Sequence, residues 1–434
     1  MNVSMDTLVT LCKTRGFVFP GSDIYGGLAN SWDYGPLGVE LKNNIKQAWW
    51  KKFVTSRLDM VGIDAALLMN PKVWEASGHL ATFTDPLVEC KTCHERYRAD
   101  QIDLTAACAK CGNKGTFTEP AAFNMMMKTW LGPKEDATAT AYFRPETAQA
   151  MFVDFAQVLT ATRKRVPFGI AQAGKAFRNE ITPGNFIFRQ REFDLMEFEY
   201  FIHPNDWEKS FEYWLAQMHE WIKECGIDAS RVHELEVSAE DRAHYSKRTV
   251  DLEFDYPFGK KELYGLAYRT DFDLKNHAEH SGAKLEYTDP ITNEKYLPHV
   301  IEPAMGLDRT FLAVLLSAYE EQDVDGEKRV VLHLPKHLAP TKVAVLPLSK
   351  KEELSSVAQP LAEKLAKLFR TEYDETQSIG KRYRRQDEIG TPFCVTVDFE
   401  TLTDNAVTVR ERDSMKQERV PIAELEAYLR KNLE

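Results

Sequence analysis

The stretch "FRNEITPGNFIFRQREFDLMEFEYF", residues 177–201, reads as two strands that carry five acidic residues and three arginines. At its centre, "ITPGN" contains the Pro-Gly pair of a reversing turn, which predicts an antiparallel hairpin. Because side chains alternate along a strand, Arg178 and Glu180 should share one face of the first strand, and Arg191 and Glu197 one face of the second. A solvated sheet face would carry similar charges, so the hairpin alone leaves a site and an exposed surface both open.

Two further segments favour a site. "YFRPETAQAMF" contributes Arg144 and Glu146 on a predicted strand, and "PHVIEPAMGLDRTFLAVLL" contributes Glu302 and Arg309 where a strand meets a helix. A cation in the first turn of a helix opposes the macrodipole unless an anion binds there, although an ion pair with Asp308 or Glu302 is an alternative. Several glutamates around one site repel one another unless a cation lies between them. A ligand that carries both an ammonium group and phosphates would satisfy both conditions.

Composition indicates an ordinary soluble protein of two or three domains, with 434 residues of which 43% are apolar. No apolar run approaches the length of a membrane span, and the N-terminus lacks a signal-peptide core, so we expect a cytoplasmic protein with no membrane partner. The net charge of −11 lies entirely in residues 1–334, because residues 335–434 hold 17 basic and 17 acidic residues. The C-terminal part is therefore the better candidate for contact with RNA.

Four cysteines form two CxxC pairs separated by fourteen residues, namely Cys90, Cys93, Cys108 and Cys111. This double spacing is typical of a tetrahedral Zn²⁺ site, and four thiolates close the coordination shell, so the ion should be structural. A disulfide framework is disfavoured in a large cytosolic chain. Cys12, Cys225 and Cys394 have no such spacing and are interpreted as core or surface thiols.

Periodicity predicts the organisation of the chain. Residues 37–53 and 205–225 have helical spacing, the second with Asn205 as its cap, and "TFLAVLLSAYEEQ" is an apolar helix. "VGIDAALLMNP" reads as a strand ending at Pro71, and further strands cluster in residues 142–201 and 250–303. This pattern favours an α+β fold with a mostly antiparallel sheet. "VDGEKRVVLHLPKHLAP" reads as a linker to a small α/β domain.

Taken together, these segments resemble the class II aminoacyl-tRNA synthetases. "FRNE" with "RQREF" is similar to the second signature of that class, "GLDR" to the third, and the helix 37–53 with the strand after it to the first, which forms the dimer. More narrowly, "RGFVFPGSDIYGG", "WDYGPLG", "NPKVWEASGH", "RPETAQ", "RNEITPGNFIFR", "RTDFDL" and "VIEP" resemble the homodimeric type of glycyl-tRNA synthetase. This likeness extends from about residue 6 to the C-terminus.

The resemblance implies that glycine and ATP form glycyl-adenylate and that glycine then moves to the 3′ end of tRNA(Gly), with Mg²⁺ on the triphosphate. It implies a class II catalytic domain in residues 1–334, with a zinc-binding insert at 86–120 and a largely helical insert at 203–250. An α/β anticodon-binding domain would occupy residues 335–434, and the chain would form a homodimer.

The resemblance also assigns site residues. Arg178 and Arg309 would be catalytic and hold the α- and γ-phosphates, Glu180 would bind the adenine amino group, and Phe193 would stack on the base. The full ATP site would comprise Arg178, Asn179, Glu180, Phe188, Arg189, Gln190, Arg191, Glu192, Phe193, Glu262, Leu263, Gly306, Leu307, Asp308 and Arg309. The glycine site would comprise Arg98, Glu146, Phe193, Asp194, Leu195, Met196, Glu197, Glu302, Pro303, Ala304, Met305 and Gly306, with Glu146, Glu197 and Glu302 around the ammonium group.

Two residues depart from the family pattern. Ala304 stands where serine is expected, which removes a hydroxyl near the amino acid, and Ala150 stands where glycine is usual. Both changes bear on the affinity for glycine.

In the C-terminal domain, "SIGKRYRRQDEIGTP" clusters cations with one aromatic ring, which suits RNA phosphates and an unstacked base. The predicted tRNA contacts are Lys381, Arg382, Tyr383, Arg384 and Arg385. A solvated helix face paired with Asp387 and Glu388 is the alternative.

Two rival functions remain at this point. The nearest is a synthetase-like paralogue that adenylates a small amino acid for an acceptor other than tRNA. A noncatalytic RNA-binding or regulatory protein is the other, and it would have no reason to keep Arg178, Glu180, Phe193 and Arg309 together.

Overall fold

A computed structural model describes residues 3–324 and 326–433. The N-terminal part is built around one long helix that packs on the main sheet. Leu41, Ile45 and Trp49 recur at helical spacing on its buried side, and a π-turn at Lys51–Thr55 prolongs it, so the helix predicted at 37–53 is confirmed. The elements are α1 (Met5–Arg15), β1 (Val18–Pro20), β2 (Trp32–Tyr34), α2 (Pro36–Trp50), β3 (Met60–Gly62) and β4 (Leu68–Met69).

The predicted single strand before Pro71 is wrong, because the segment forms two short strands in different sheets. β3 joins the main sheet and β4 pairs with a later strand of a small three-stranded sheet. The next elements are α3 (Pro71–Ala76), α4 (His79–Thr82), β5 (Thr84–Glu89), β6 (Arg96–Arg98), β7 (Ala121–Asn124), β8 (Met127–Trp130), β9 (Thr140–Phe143), α5 (Ala148–Val153) and α6 (Phe155–Thr162). Strands β6, β5 and β7 form a separate three-stranded sheet, and the four clustered cysteines lie between β5 and β7. Residues 84–124 are called the cysteine module below.

A seven-stranded sheet forms the core of the larger part. Its order is β12-β13-β14-β17-β11-β10-β3, and all neighbours are antiparallel except β3 and β10. The elements are β10 (Phe168–Phe177), β11 (Glu192–Ile202), α7 (Trp207–Glu224), β12 (Val232–Glu236), β13 (Arg248–Tyr256), β14 (Gly259–Thr270), α8 (Phe272–Ser281), β15 (Tyr287–Thr288), β16 (Lys295–Tyr296), β17 (His299–Gly306) and α9 (Leu307–Ala318). α2, α7 and α9 bury their apolar faces on one side of this sheet, and α5 and α8 cover part of the other. The predicted antiparallel sheet is therefore confirmed.

The hairpin predicted within residues 177–201 has a longer connection between its strands than the sequence indicated. β10 ends at Phe177 and β11 begins at Glu192, so the Pro-Gly pair lies inside a loop rather than in a tight turn. Arg178 and Glu180 lie in that loop, and the prediction that they share a face of the first strand is wrong. Loop residues can follow a ligand more closely than alternate residues of a flat strand can.

Three other predicted boundaries change. The segment 203–250 contains α7, which begins at Trp207 rather than after an Asn205 cap, but it also contains β12, which pairs into the main sheet. The apolar helix "TFLAVLLSAYEEQ" ends at Ala318, and its last residues form a strand that pairs with the predicted linker. This antiparallel pair is β18 (Tyr319–Val324) with β19 (Glu327–Leu332). In both cases a strand pairing replaces the structure that periodicity predicted, β12 with β13 and β18 with β19.

The C-terminal part is a five-stranded mixed sheet in the order β21-β20-β22-β23-β24, as the predicted α/β domain requires. Its elements are β20 (Val343–Pro347), α10 (Glu352–Ala366), β21 (Thr371–Tyr373), α11 (Ile379–Glu388), β22 (Phe393–Val397), α12 (Thr401–Asp404), β23 (Ala406–Glu411), β24 (Gln417–Pro421) and α13 (Leu425–Leu433). A buried ion network ties this part to the β18–β19 hairpin. Arg329 donates to Asp387 at 2.8 Å, and Arg410 donates to both oxygens of Asp387 at 2.9 and 3.0 Å.

Candidate active site

Two cavities open side by side on the main sheet and share the lining residues Arg178, Glu197, Glu262 and Ala304. The first is called the cationic cavity here for its three arginines, Arg178, Arg189 and Arg309. Its other lining residues are Glu180, Ile187, Phe188, Gln190, Phe193, Asp194, Leu195, Glu197, Glu262, Leu263, Ala304, Gly306 and Asp308. The acidic cavity is lined chiefly by Glu146, Glu197, Tyr245, Asp251, Gly265, Glu302 and Ala304. A single ligand could therefore occupy both, with its negative part in the first and its positive part in the second.

Arg309 lies at the start of α9, where the helix N-terminus also faces the cationic cavity. Its Nη1 donates to the Glu262 carbonyl at 3.0 Å and lies 3.1 Å from the Glu262 carboxylate, and its guanidinium stands 4.5 Å over the Phe188 ring. The predicted alternative, a pair with Asp308 or Glu302, is wrong, because Asp308 instead accepts from Lys42 at 2.8 Å. Held in this way, Arg309 presents a fixed cation beside free helix N–H groups.

Arg178 stands where the two cavities meet. Its Nε donates to the Pro145 carbonyl at 3.1 Å, and its guanidinium lies 5.4 Å from the Phe83 ring and 5.3 Å from the Phe193 ring. Within residues 3–324 and 326–433, no carboxylate lies within 4.0 Å of this guanidinium. Glu180 is buried nearby, and its Oε2 accepts no hydrogen bond from any described residue. The cavity therefore contains a cation that can bind an anion, and a carboxylate oxygen that can accept a hydrogen bond from an N–H group of a ligand.

The acidic cavity brings together the three glutamates that the sequence assigned to one ammonium group. Glu197 accepts from the Thr147 hydroxyl at 2.5 Å, and Glu146 accepts from Gln149 at 3.0 Å and lies 3.2 Å from His79 Nε2. Burial and the charge of Glu146 raise the pKa of Glu197. Burial alone would raise the pKa of Glu146 too, but His79 and then Arg269 lower it well below its usual range.

Arg269 was missed by the sequence analysis, although "RTDFDL" contains it. The side chain is 1% exposed and donates to Glu302 at 2.7 Å and to both oxygens of Asp273 at 2.8 and 2.9 Å. Burial raises the pKa of Glu302 well above its ordinary value, against the lowering effect of Arg269. The spacing of Arg269 and Asp273, four residues apart at a strand-to-helix junction, was the available signal.

Several residues predicted for the site do not line these two cavities, and the alternation of side chains along a strand explains some of them. Phe193, Leu195 and Glu197 face the cavities, whereas Met196 packs in the core on the opposite side of β11. Pro303, Met305 and Leu307 likewise alternate away from the cavities and are buried, while Asp194 reaches the rim and accepts from Lys42 at 2.6 Å. Arg191 and Glu192 line a neighbouring cavity with Trp32 and Tyr34, and Asn179 makes a backbone hydrogen bond to Met125.

Arg98 and Arg144 have structural partners instead. Arg98, on β6 of the cysteine module, lies 2.6 Å from Asp85 and acts electrostatically on Glu180 and Arg189, so it flanks the cationic cavity rather than the acidic one. Arg144 is buried and donates to the Lys175 carbonyl at 2.7 Å. Ala304 lines both cavities, so its missing hydroxyl affects the site directly, whereas Ala150 is buried in α5.

The four clustered cysteines converge as predicted. Cys90 and Cys111 have Sγ atoms 3.7 Å apart, as do Cys93 and Cys108, and all four Sγ atoms lie within 4.8 Å of one another. A tetrahedron with Zn–S bonds of about 2.3 Å has S–S edges of about 3.8 Å, so these residues fit a zinc ion. Cys12, Cys225 and Cys394 are buried singly, as the interpretation of core thiols requires.

The predicted tRNA-contact cluster on α11 is mostly used for internal contacts. Arg382 is buried and donates to the carbonyls of Pro347 and Asp374, and the Tyr383 hydroxyl is paired with Thr396 at 2.6 Å. Arg384 donates to the Lys328 carbonyl, and Arg385 to the Thr376 carbonyl. Lys381 alone of the five is exposed and Tyr383 is half-buried, so contact of this cluster with tRNA stays a prediction. The alternative of a solvated pair with Asp387 is wrong, because Asp387 is buried.

Comparisons with known proteins agree with this architecture. Residues 133–319 match the family model "tRNA synthetase class II core domain (G, H, P, S and T)", and residues 342–432 match "Anticodon binding domain". The chain is 54% identical to a glycine–tRNA ligase of Streptomyces coelicolor over 99% of its own length and 98% of that protein. It is 53% identical to a glycine–tRNA ligase of Clostridium acetobutylicum over 99% of both chains, and 52% identical to one of Geobacillus thermodenitrificans over 100% and 98%.

Among solved structures, the fold is similar to that of a prolyl-tRNA synthetase of Cryptosporidium parvum. The TM-score is 0.67 at 16% identity, covering 99% of this chain and 75% of the other. Among the described residues, none of the helices has the length and apolar character needed to span a bilayer.

Proposed function

The chain belongs to the glycine–tRNA ligase family of class II aminoacyl-tRNA synthetases, and from this we propose that it activates glycine with ATP and transfers it to tRNA(Gly). The observation that carries the proposal is the pair of joined cavities, one cationic and one acidic, that meet at Arg178. Glycyl-adenylate has this distribution of charge, with its phosphate next to the acyl group and its ammonium at the far end.

In the first step, a carboxylate oxygen of glycine attacks the α-phosphorus of ATP, the bond to the β-phosphate oxygen breaks, and pyrophosphate leaves. Arg178 lies at the junction with no carboxylate partner among the described residues and would neutralise the charge that develops on the α-phosphate. Arg309, fixed by Glu262, would hold the γ-phosphate, and Glu180 Oε2 would accept from the adenine amino group. Catalysis by positioning and charge needs no covalent bond to the protein.

Mg²⁺ bound to the triphosphate would supply neutralisation of its oxygens. Glu262 offers the carboxylate oxygen that lines the cationic cavity beside Arg309, and oxygen ligands are those that Mg²⁺ prefers. At the cysteine module, Zn²⁺ held by the four cysteines would stabilise the fold locally and fix β5 and β6, which carry Asp85 and Arg98 beside the cationic cavity.

In the second step, a hydroxyl of the tRNA 3′-terminal ribose attacks the acyl carbon, and AMP leaves. Because Arg382 and Tyr383 are used internally, we place the tRNA contact of the C-terminal domain at the end of β20 and β22. Exposed Lys351 stands 4.7 Å over the exposed ring of Phe399 there. Exposed Lys381 lies in the first turn of α11, next to Arg382, which donates to the Pro347 carbonyl at the end of β20. Cations with an accessible ring suit unstacked RNA bases.

Selectivity for glycine would come from excluding bulk, because glycine offers only its charged groups to bind. Glu146, Glu197 and Glu302, which line one cavity, would surround the ammonium group, and steric exclusion around the bound substrate would reject larger side chains. We also propose a homodimer through the exposed side of α2 and a cytoplasmic location, on the likeness to the family. Light scattering of the purified protein would test the homodimer by measuring its molar mass in solution.

Glycine-dependent ATP–pyrophosphate exchange tests the activity. We expect Glu197→Ala and Glu302→Ala to abolish exchange, whereas Glu234→Ala, an exposed glutamate on β12 of the same sheet, should not change it. Circular dichroism checks that all three variants keep the wild-type fold. Near-normal exchange in both cavity variants would refute the assignment, and equal exchange with alanine or serine would refute the selectivity for glycine.

Charging of tRNA separates the proposal from a paralogue that passes the amino acid to another acceptor. We expect glycine to become attached to tRNA(Gly), and Lys351→Ala with Phe399→Ala to weaken that charging without affecting exchange. Exchange without any charging of tRNA would favour the paralogue.

A further inference from the structure

Glu199 is a buried acid that the reaction as described does not use. It follows Glu197 by two residues on β11, so both side chains project from the same face of the sheet. Its side chain is 0% exposed, and neither carboxyl oxygen has a hydrogen-bond partner in the described chain. The carboxyl oxygens of Glu197, Glu199 and Glu302 nevertheless lie within 4.8 Å of one another.

The charges around Glu199 come from every neighbouring element. Glu302 faces it from β17, Arg269 from β14, Asp273 from α8, and Glu197 from its own strand. On β10 the residue directly opposite is Ile170, which is apolar. The guanidinium of Arg269 is already committed to Asp273 and Glu302 through three hydrogen bonds.

An ionised Glu199 would therefore be a carboxylate shielded from water, with no hydrogen-bond donor, and next to two other acidic side chains. Burial of an unpaired charge is strongly unfavourable, and a buried group of this kind takes up a proton instead. Burial, and then the charge of Glu302, raise the pKa of Glu199 well above its usual range, in agreement with the geometry. A protonated carboxyl has one O–H donor, and the nearby acceptors are the carboxylates of Glu197 and Glu302.

We propose that Glu199 is a positioning residue that carries a proton and donates a hydrogen bond to one carboxylate of the Glu197–Glu302 pair, which holds that carboxylate in place for an ammonium group. This inference rests on the proposed function for the identity of that ammonium group. A neutral Glu199 also limits the negative charge of the empty cavity, so that only the groups that contact the substrate need be ionised.

The same substitution made at two positions on one strand face tests the proposal. Glutamine resembles protonated glutamic acid in size and keeps an N–H donor, so Glu199→Gln should change the KM for glycine by no more than about threefold. Glu197→Gln removes a charge from the ammonium contact and should raise that KM by about 10- to 150-fold, the worth of one hydrogen bond to a charged group. Glu199→Leu, which has no donor, should raise the KM for glycine while the KM for ATP stays unchanged.

The dependence of the KM for glycine on pH is a second measurement, which a purely structural role of Glu199 would not change. As the pH rises through the raised pKa of Glu199, only the wild type should lose this proton, so the ratio of its KM for glycine to that of Glu199→Gln should rise. Deprotonation of glycine itself affects both proteins equally and cancels in this ratio. Two results would overturn the proposal: Glu199→Gln as impaired as Glu197→Gln, which would make Glu199 an anionic ligand, or Glu199→Leu with the KM of the wild type.

A spectroscopic measurement keeps this inference separable from the proposed function. The infrared spectrum of the free wild-type protein minus that of Glu199→Gln should contain the carbonyl band of a protonated carboxyl group at neutral pH, and absence of that band would overturn the inference. A wild type that shows the band but fails to exchange pyrophosphate with glycine would overturn the proposed function and the identity of the ammonium group, but not the proton on Glu199.

Discussion

Replacing Arg269 by methionine should both destabilise the protein and abolish glycine activation. The Arg269 guanidinium makes three hydrogen bonds of 2.7 to 2.9 Å, two to Asp273 and one to Glu302, and its side chain is 1% exposed. Methionine has a similar length and stays apolar, so the change removes the charge and leaves little empty volume. Asp273 and Glu302 then remain buried without their cation.

The magnitude follows from the loss of one partner in a buried ion cluster, which costs roughly 3–5 kcal/mol. The urea midpoint of unfolding, followed by tryptophan fluorescence, should fall accordingly. Exchange of pyrophosphate with glycine should be lost because Glu302 loses the donor that orients it. Binding of ATP should persist, since Arg269 does not line the cationic cavity.

A second substitution separates lost charge from lost packing. Asp273→Asn added to Arg269→Met removes one of the two uncompensated charges and should recover about 1.5–3 kcal/mol of stability. It should not recover exchange, because Glu302 still lacks its partner. The reasoning is refuted if the single variant unfolds at the wild-type urea concentration and activates glycine, or if the double variant is no more stable than the single one.

Three further outcomes are expected. Cys93→Ser should purify with less than one zinc ion per chain by atomic absorption and should bind ATP more weakly, since the cysteine module carries side chains beside the cationic cavity; full zinc content would contradict the assignment. Asp387→Asn should lower the stability of the C-terminal part by roughly 3–5 kcal/mol in urea, because it leaves Arg410 buried without its partner, and unchanged unfolding would exclude the ion network as an anchor. Asp413 raises the pKa of His333, so the pair stabilises the fold below about pH 6.5, and that stabilisation is lost as the pH rises through the raised pKa. Thermal stability should therefore fall less over this pH range in His333→Gln than in the wild type, and an equal fall in both proteins would contradict a role for the pair.

Local patterns were read correctly where one stretch of chain contains all the information. Helical spacing predicted α2, the double CxxC spacing predicted the cysteine convergence, and the sequence placed Arg309 at a strand-to-helix junction. Motif likeness predicted a single site for Arg178, Glu146, Glu197 and Glu302. Each of these inferences depends on residue type and spacing within a short segment.

Pairing across the fold could not be read in this way. The strand β18 lies in what periodicity presented as the end of a helix, because its partner β19 stabilises it from what reads as a linker. The cations of α11 have the composition of an RNA-binding surface, yet Arg382 is buried against the carbonyl groups that end β20. Sequence shows that a side chain is charged, but only the neighbours brought by other segments decide whether it stays free for a ligand.

The acidic cavity shows this division most clearly. The sequence by itself determined that Glu197 and Glu199 alternate along β11 and that Glu302 follows on β17, and the family resemblance added to these residues a site for an ammonium group. Only the tertiary structure decided which of them bind, because the sheet register places Arg269 on Glu302 and leaves Glu199 without a donor. Register is the alignment of strands that are far apart in the chain. The partners and the protonation states of these acids are therefore set only when the chain folds.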